Sequence, residues 1–255
     1  LPIHWLILSN CGLTDADMPY ITAINVDDGE RYNELYSLNL GNNAITSLSG
    51  MERLATLNVL LVQRNSISDL SPLSDLTRIH SLNISWNPGI TSIEPLAQGM
   101  RETLVNLDMA GLAVDLTPVG GMENLDHVRL GDDWNSHRIS LDLAPLSGLT
   151  HLKYLHIFGA KLDNVDAISS MSGLICINLQ NCGLTSAKLT ALNGHPLTTE
   201  INLERNFLRT LDELDLSTLP QLKEIALDGN AISDFSMFDG TAITVYGRDW
   251  QNAAY

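Results

Sequence analysis

Aliphatic residues recur along the chain in the spacing LxxLxLxxNxL, with mostly polar residues at the x positions. Residues 35–45, 57–67 and 222–232 fit every slot of this pattern. Alternating aliphatic residues predict a short strand with one buried face, and the Asn that follows predicts a turn. Further, partly degenerate copies occupy residues 3–13, 79–90, 104–114, 125–133, 152–162, 174–184 and 198–208, with a half-copy at 243–245. The pattern therefore indicates about ten repeats of one structural unit and a terminal strand.

The length of the repeat predicts how the chain returns from one strand to the next. Leu38, Leu60 and Leu82 are equally spaced, and the strand and turn of each motif fill half of that spacing. The other half is too short for a long crossover α-helix, and proline, which breaks helices, recurs in these return segments. The prolines are Pro72, Pro95, Pro118 and Pro145. We predict a single curved α/β solenoid with a parallel sheet on its concave side and a mostly 3₁₀ or irregular convex side.

This pattern is the signature of leucine-rich repeats, and the chain resembles the 22-residue repeats of bacterial internalins. The resemblance is carried by Asn-Ser-Ile-Ser-Asp-Leu-Ser-Pro-Leu at residues 65–73, followed by Leu76 and Ile79, and it covers about residues 35–245. It implies a leucine-rich repeat horseshoe in a secreted or surface protein that binds another protein. Two features depart from the internalin pattern: the period becomes irregular after Leu82, and the first interval, from Leu6 to Leu38, is longer than any other. Eukaryotic phosphatase-regulating proteins share the motif.

The domain assignment follows from the repeats and their interruptions. We assign residues 1–245 to the leucine-rich repeat domain and residues 246–255 to a C-terminal tail that caps the last repeat. An insertion at residues 14–34 contains six acidic residues, which we interpret either as a calcium loop or as an acidic helix and loop. The run Asp-Asp-Gly-Glu at 27–30 lacks the alternating spacing of an EF-hand. A second insertion, residues 132–138, is predicted to be a loop beside the concave face.

The Asn slot predicts a ladder of side-chain amides that satisfies buried backbone groups in the turns. Cys11 and Cys182 take this slot in two repeats, whereas Leu112 and Ala160 cannot replace Asn, which predicts looser turns there. We expect Cys11 and Cys182 to point inward, many strands apart. Together with Cys176 they are therefore predicted to be free thiols.

Composition narrows the class of partner. The 255 residues include 14 Lys and Arg and 30 Asp and Glu, so the formal charge is 14 − 30 = −16. This acidity argues against binding of nucleic acid or anionic membranes, both of which favour a basic surface. No apolar run approaches the ~18 residues of a transmembrane helix, so we expect no membrane insertion.

No catalytic or cofactor-binding motif is present in the sequence, so we predict a non-enzymatic protein with no cofactor and no metal. His127 and His156 on neighbouring strands, with Asp108 one strand away, form only a weak candidate metal site. Cys176 also points outward, but the register gives it Tyr154 and Glu200 as neighbours, so we interpret it as a passive thiol.

The concave face is the predicted binding surface, because the residues between the inward slots point into it. Aromatic residues and Arg, which are enriched at protein interfaces, cluster there. The candidate partner-binding residues are Trp86, His127, Arg129, Tyr154, His156 and Phe158. The far end of this face, from Glu200 to Asp228, is acidic. We expect a protein ligand on the concave face, with carbohydrate as the alternative ligand, and a monomeric chain.

Two functional interpretations remain open. In the first, the chain is the binding module of a secreted or surface bacterial protein that recognises a host or neighbouring-cell protein. In the second, it is an intracellular scaffold or regulatory subunit in the cytoplasm. Three free cysteines favour a reducing compartment, whereas the resemblance to internalins and a chain that starts at Leu1, as if processed or trimmed, favour the first.

Overall fold

A computed structural model describes residues 3–24, 35–132 and 139–251 of the chain. The chain divides into two compact units, Leu1–Leu125 and Asp126–Tyr255. Both units consist of short parallel strands joined by turns and short helices. The calcium-loop hypothesis for residues 27–30 and most of the insertion at 132–138 lie outside the described residues.

Among its described residues, the first unit contains five parallel strands that pair in chain order. Their register places the central leucine of each motif beside that of the next, as in Leu38 with Leu60 and Leu60 with Leu82. These leucines are fully buried or nearly so, because one residue in two on a strand faces the core. The strands are β1 (Trp5–Ile7), β2 (Ser37–Asn39), β3 (Val59–Leu61), β4 (Ser81–Asn83) and β5 (Asn106–Asp108), and the helices are α1 (Met18–Thr22) and α2 (Glu94–Gly99).

The part of the second unit that the structure describes contains eight strands in two parallel sheets. They are β6 (His127–Gly131), β7 (Ile139–Asp142), β8 (Tyr154–Phe158), β9 (Ala160–Asp163), β10 (Cys176–Gln180), β11 (Glu200–Asn202), β12 (Glu224–Ala226) and β13 (Thr244–Tyr246). The larger sheet has the order β6-β8-β10-β11-β12-β13, and β7 pairs with β9 in a separate two-stranded sheet. We call the side of the larger sheet that faces away from the core its open face.

The return segments are short, as the prolines predict. Ser71–Leu73 and Ala144–Gly148 are 3₁₀ helices with Pro in the first turn, and α2, which begins Glu94-Pro95, has only six residues. Further 3₁₀ helices are Met51–Arg53, Val119–Gly121, Val165–Ser170, Ser186–Leu192, Leu216–Thr218 and Ser236–Phe238. The predicted leucine-rich repeat fold, with parallel strands and mostly 3₁₀ returns, is confirmed.

Some of the acidic residues start these return segments. Asp69 accepts hydrogen bonds from the backbone N–H and the hydroxyl of Ser71, and these bonds lower the pKa of its carboxyl group. Asp115 and Asp234 accept the same backbone bond from the residue two positions ahead. Part of the negative charge therefore serves turn formation.

The Asn ladder is present in both units. Asn65 donates to Leu40 O and Val62 O, each at 3.0 Å, and accepts from Ile45 N. Asn206 donates to Leu179 O and Leu203 O in the same way, each at 2.9 Å. Each amide thereby joins two successive turns through buried backbone groups.

Cysteine replaces Asn only in part. Cys182 is buried and its Sγ lies 3.4 Å from both Ile157 O and Gln180 O, but one S–H can donate only one hydrogen bond. Cys11 makes the equivalent contact within its own turn, with its Sγ 3.5 Å from Ser9 O, but the residue is exposed; its inward orientation stays a prediction. In the described residues no earlier turn packs against the first one, so nothing covers this thiol. The three cysteines are free, as predicted.

The prediction of a looser turn at Ala160 is wrong. Ala160 is fully buried and begins strand β9, which pairs with β7 from Ile139–Ala160 to Asp142–Asp163. Strand pairing satisfies backbone groups that an Asn side chain satisfies elsewhere. At Leu112 the aliphatic side chain is likewise buried.

The insertion at residues 14–34 and the tail at residues 246–255 are each described in part, and the described parts contact neighbouring turns. In the insertion at 14–34, Asp15 accepts hydrogen bonds from the backbone N–H groups of Thr46 and Ser47, and Asp17 accepts one from Thr14 N. These bonds fit the interpretation of a structural acidic segment. In the tail, Gln251 contacts the last turn; the capping role of residues 246–255 as a whole stays a prediction.

Candidate functional site

Five of the six candidate residues lie together on the open face of the second unit. His127 and Arg129 are on β6, and Tyr154, His156 and Phe158 are on β8. They alternate with Val128, Leu130, Leu155 and Ile157, all of which are buried in the core. The register pairs His127 with Tyr154 and Arg129 with His156. We call these five residues the aromatic cluster.

The side chains of the aromatic cluster pack against one another. The rings of His127 and Tyr154 are stacked with centroids 4.1 Å apart. Those of His156 and Phe158 are parallel at 6.3 Å, and the guanidinium of Arg129 lies 5.4 Å from the centre of the Phe158 ring. All except Arg129 are therefore half-buried although they face solvent. The contacts fix the orientation of the rings in the absence of any partner.

The charge of the cluster is carried mainly by Arg129. Burial lowers the pKa of His156, and the nearby His127 and Arg129 lower it further, while Glu200 acts in the opposite direction. His156 is consequently neutral at pH 7, when it can accept as well as donate a hydrogen bond. At the edge of the cluster, Lys153 forms an ion pair with Asp126 at 3.0 Å.

The open face changes sign across the second unit. In the row that begins with His127 and Tyr154, the following positions are Cys176, Glu200 and Glu224. Beside this row, Gln180 Nε2 donates to Glu204 Oε2 at 2.6 Å. A partner that covers the whole face therefore meets a basic, aromatic end and an acidic end.

Trp86, the sixth candidate, belongs to the first unit and lies in the turn after β4. Its backbone has a φ of 58°, and Arg64 occupies the same conformation in the preceding turn. The Arg64 guanidinium lies 5.4 Å from the centre of the Trp86 ring. Left-handed backbone is unfavourable for bulky residues, but the same conformation recurs at the equivalent position of other repeats, as in Asn42 and Arg205, so it belongs to the repeat turn.

Nothing in the described residues provides an evident catalytic or metal centre. Burial and the neighbouring Glu200 raise the pKa of the Cys176 thiol to about 11, so it is protonated at neutral pH. Its strand neighbours are Tyr154 and Glu200, as predicted. No group of three His, Cys, Asp or Glu side chains that could hold a metal occurs within residues 3–24, 35–132 and 139–251. The absence of an enzymatic activity and of a cofactor stays a prediction.

Some exposed apolar residues were not among the candidates. Trp5 and Ile7 on β1 are 71% and 73% exposed; they occupy outward positions that the sequence indicates, at the edge of the first sheet. Phe207 is 50% exposed and lies outside the strands, in the slot directly after Asn206. The other repeats that have Asn or Cys in the preceding slot place a small residue or Pro there, so a bulky residue after Asn is the signal that could have identified Phe207. The residues that occupy this slot in those repeats are Gly12, Ala44, Ser66, Pro88, Gly183 and Ala231.

Comparison with known proteins shows that this chain is similar in fold to several solved structures. No protein-family model and no curated protein sequence match the chain. Among solved structures, internalin C2 from Listeria monocytogenes is 24% identical and aligns over 83% of this chain and 79% of its own, with a TM-score of 0.57. The plant peptide hormone receptor RGFR1, in complex with RGF2, is 17% identical over 86% of this chain, with a TM-score of 0.63. The functional domain of InlJ from Listeria monocytogenes is 16% identical over 99%, with a TM-score of 0.53.

These similarities show a leucine-rich repeat fold of the kind found in internalins and in receptor ectodomains. The chain spans 37% of the RGFR1 chain and 64% of the InlJ chain, so what those whole proteins do is not carried over. None of the helices described here is long and apolar enough to cross a membrane.

Proposed function

We propose that this protein is a non-enzymatic binding module that recognises a protein partner through the open face of its second unit. The observation that carries the proposal is the aromatic cluster, His127, Arg129, Tyr154, His156 and Phe158, whose rings are stacked on one another yet remain half-exposed. Trp86, in the first unit, is proposed as a further contact.

Two physical arguments support a protein partner. Aromatic and Arg side chains dominate the energetics of protein interfaces, and rings that are already held in place lose little conformational entropy on binding. The acidic positions Glu200 and Glu224 on the same face would favour a partner whose own charge is divided into an acidic and a basic part, because complementary charges accelerate association.

We propose a secreted or surface-attached bacterial protein that binds a host or neighbouring-cell protein. The sequence resemblance to internalins supports this location, and the RGFR1 complex with RGF2 is an example of a receptor with this fold that holds a ligand. The second candidate is an intracellular scaffold or regulatory subunit, which the three free thiols favour. A signal peptide or surface anchor in the full-length gene would support the first candidate.

The test is a pull-down from host-cell surface and bacterial fractions with three immobilised forms: wild type, a Tyr154→Ala/Phe158→Ala double variant, and a Tyr20→Ala control. Tyr20 is 79% exposed on α1, which belongs to the first unit. A protein captured by wild type and control but lost with the double variant supports the proposal. Equal capture by all three forms contradicts it, and release by free sugar would instead identify a carbohydrate ligand.

A further inference from the structure

A cavity of about 410 Å³ opens beside the larger sheet of the second unit. Leu162, Val165, Cys182 and Leu184 contribute apolar side chains to it, and Val165, Cys182 and Leu184 are themselves buried. The exposed ring of Phe207 lies at its edge. Its size falls within the usual range for ligand pockets, roughly 300–1,000 Å³. We call it the flank pocket.

The flank pocket lies where two neighbouring repeats separate from each other. Strand β9 pairs only with β7 among the described residues, so its other edge is open toward the turn at residues 182–185. On the far side of that turn, Thr185 forms a parallel bridge with Phe207, and Phe207 N donates to Leu184 O at 2.8 Å. Gly183 adds no side chain to fill the space between.

Phe207 also borders a second, smaller cavity of about 220 Å³, lined in addition by Asn206, Arg209 and Ala231 among others. The ring therefore stands as a ridge between two adjoining depressions. Half of its surface is exposed, so the ring is accessible from both cavities.

The charge around the flank pocket is unusual for this chain. The whole sequence contains four lysines, and two of them, Lys161 and Lys188, line this one pocket. Lys188 Nζ lies 3.8 Å from Asp166 Oδ2, with both side chains exposed, and such a surface pair is weak. In a chain with a net charge of −16, these two lysines offer an acidic ligand a local pair of opposite charges.

We propose that the flank pocket is a second binding site, which takes an extended acidic segment of a partner protein. The segment inserts one apolar side chain against Leu184 and Phe207, and carboxylates on either side of that residue pair with Lys161 and Lys188. This site is independent of the aromatic cluster, so the two proposals succeed or fail separately.

The experiment titrates the ¹⁵N-labelled chain with synthetic peptides Asp-Asp-X-Asp-Asp, where X is Leu, Phe or Trp. The comparison peptides are Asp-Asp-Gly-Asp-Asp and Lys-Lys-Phe-Lys-Lys. We expect saturable shifts of the amide resonances of Leu184, Lys188 and Phe207 with at least one apolar acidic peptide. The glycine peptide and the basic peptide should bind at least about tenfold more weakly.

Charge-reversal variants separate this site from general electrostatics. Lys161→Glu/Lys188→Glu should weaken peptide binding about tenfold or more, and Phe207→Ala should do the same. The matched control is Lys153→Glu/Lys223→Glu, which changes the net charge equally at the other two lysines and should leave binding intact. Thermal melting verifies that each variant folds.

Three results would overturn the proposal. One is the absence of saturable binding by every apolar acidic peptide, and another is equal weakening by the two charge-reversal pairs. The third is a concentration-dependent self-association of the wild type that Phe207→Ala abolishes, because a second copy of the chain would then be the occupant.

Discussion

Gln251 repeats, beyond the last full motif, the hydrogen bonds that Asn230 makes one turn earlier. Asn230 Nδ2 donates to Leu203 O and Leu227 O, each at 2.9 Å, while its Oδ1 accepts from Leu208 N. Gln251 Nε2 donates to Leu227 O at 3.0 Å and to Gly247 O at 2.7 Å, and its Oε1 accepts from Ile232 N at 3.0 Å. The amide ladder is thus continued by a residue outside the motif.

Replacement of Gln251 by Ala should destabilise the fold. The change leaves the Leu227 carbonyl and the Ile232 N–H without these partners, which we expect to lower the free energy of unfolding by about 1–3 kcal/mol. Urea denaturation measures the difference. Gln221→Ala, at an exposed position, is the matched control and should change stability little; an equal effect of both substitutions would contradict a role of Gln251 in the ladder.

Gly131 sets the end of strand β6 against β8. Its φ is 94°, and a Cβ added there would lie 2.7 Å from Phe158 N and closer still to Phe158 O. Gly131→Ala should therefore cost about 1–3 kcal/mol of stability from backbone strain, and more if the strands are forced apart. Gly194→Ala is the control, because Gly194 has a similar φ of 83° with nothing within 4 Å of the added Cβ. If both variants lose equal stability in urea denaturation, the close approach of Gly131 to Phe158 is unimportant.

The aromatic cluster should contribute more to binding than to folding. Tyr154→Ala removes a stacked ring pair, so we expect a stability loss of about 0.5–1.5 kcal/mol beyond the lost burial. Loss of binding to the partner should be larger for Tyr154→Ala and Phe158→Ala, about 2 kcal/mol or more. Titration calorimetry with the captured partner and urea denaturation give the two quantities. Wild-type affinity in both variants would locate the interface elsewhere.

Stability should fall between neutral and mildly acidic pH because of His195. This side chain is fully buried, and burial lowers its pKa below the ordinary value of 6.5. As the pH falls through 6.5, the unfolded chain takes up a proton that the folded chain does not, so the free energy of unfolding decreases by at most about 1.4 kcal/mol per pH unit. The loss ends once the pH is below the folded-state pKa. His156, with its lowered pKa, acts in the same direction.

Urea denaturation at about pH 7.5 and pH 5.5 measures this effect. His195→Leu, or His195→Asn if the first variant does not fold, should flatten the pH dependence, whereas His151→Ala at an exposed position should not. Asp69, whose pKa is lowered, titrates below 3.8 and lies outside this window. A pH dependence unchanged by removal of His195 would refute the assignment.

The three thiols should react at very different rates. Burial raises the pKa of Cys182 to about 12 and, with Glu200, that of Cys176 to about 11, whereas Cys11 is exposed. A thiol reagent near pH 8 should therefore modify one cysteine quickly in the native protein and all three after denaturation without reductant. Cys11→Ser should abolish the fast phase. A denatured count of one would indicate a disulfide and contradict the fold.

The sequence alone determined the repeat, the strand positions and the inward and outward alternation. These properties follow from a local pattern. Leu38 and Leu60 occupy the same slot of the motif in successive repeats, and residues in the same slot pair in register. The alternation also placed His127, Arg129, Tyr154, His156 and Phe158 on one face. That they act as a partner-binding site stays a prediction.

The tertiary structure decided the features that depend on which residues of other repeats lie next to a given residue. Whether Ala160 ends a turn or begins a strand depends on β7, one repeat earlier in the chain, to which it pairs. The half-burial of Tyr154 comes from the ring of His127 on the adjacent strand, and the exposure of Cys11 from the lack of a described turn packed against it. Gln251 enters the ladder only because it contacts the backbone of Leu227 and Ile232 in the preceding turn. Each of these properties depends on residues of another repeat. A motif that is considered one repeat at a time does not encode such relationships.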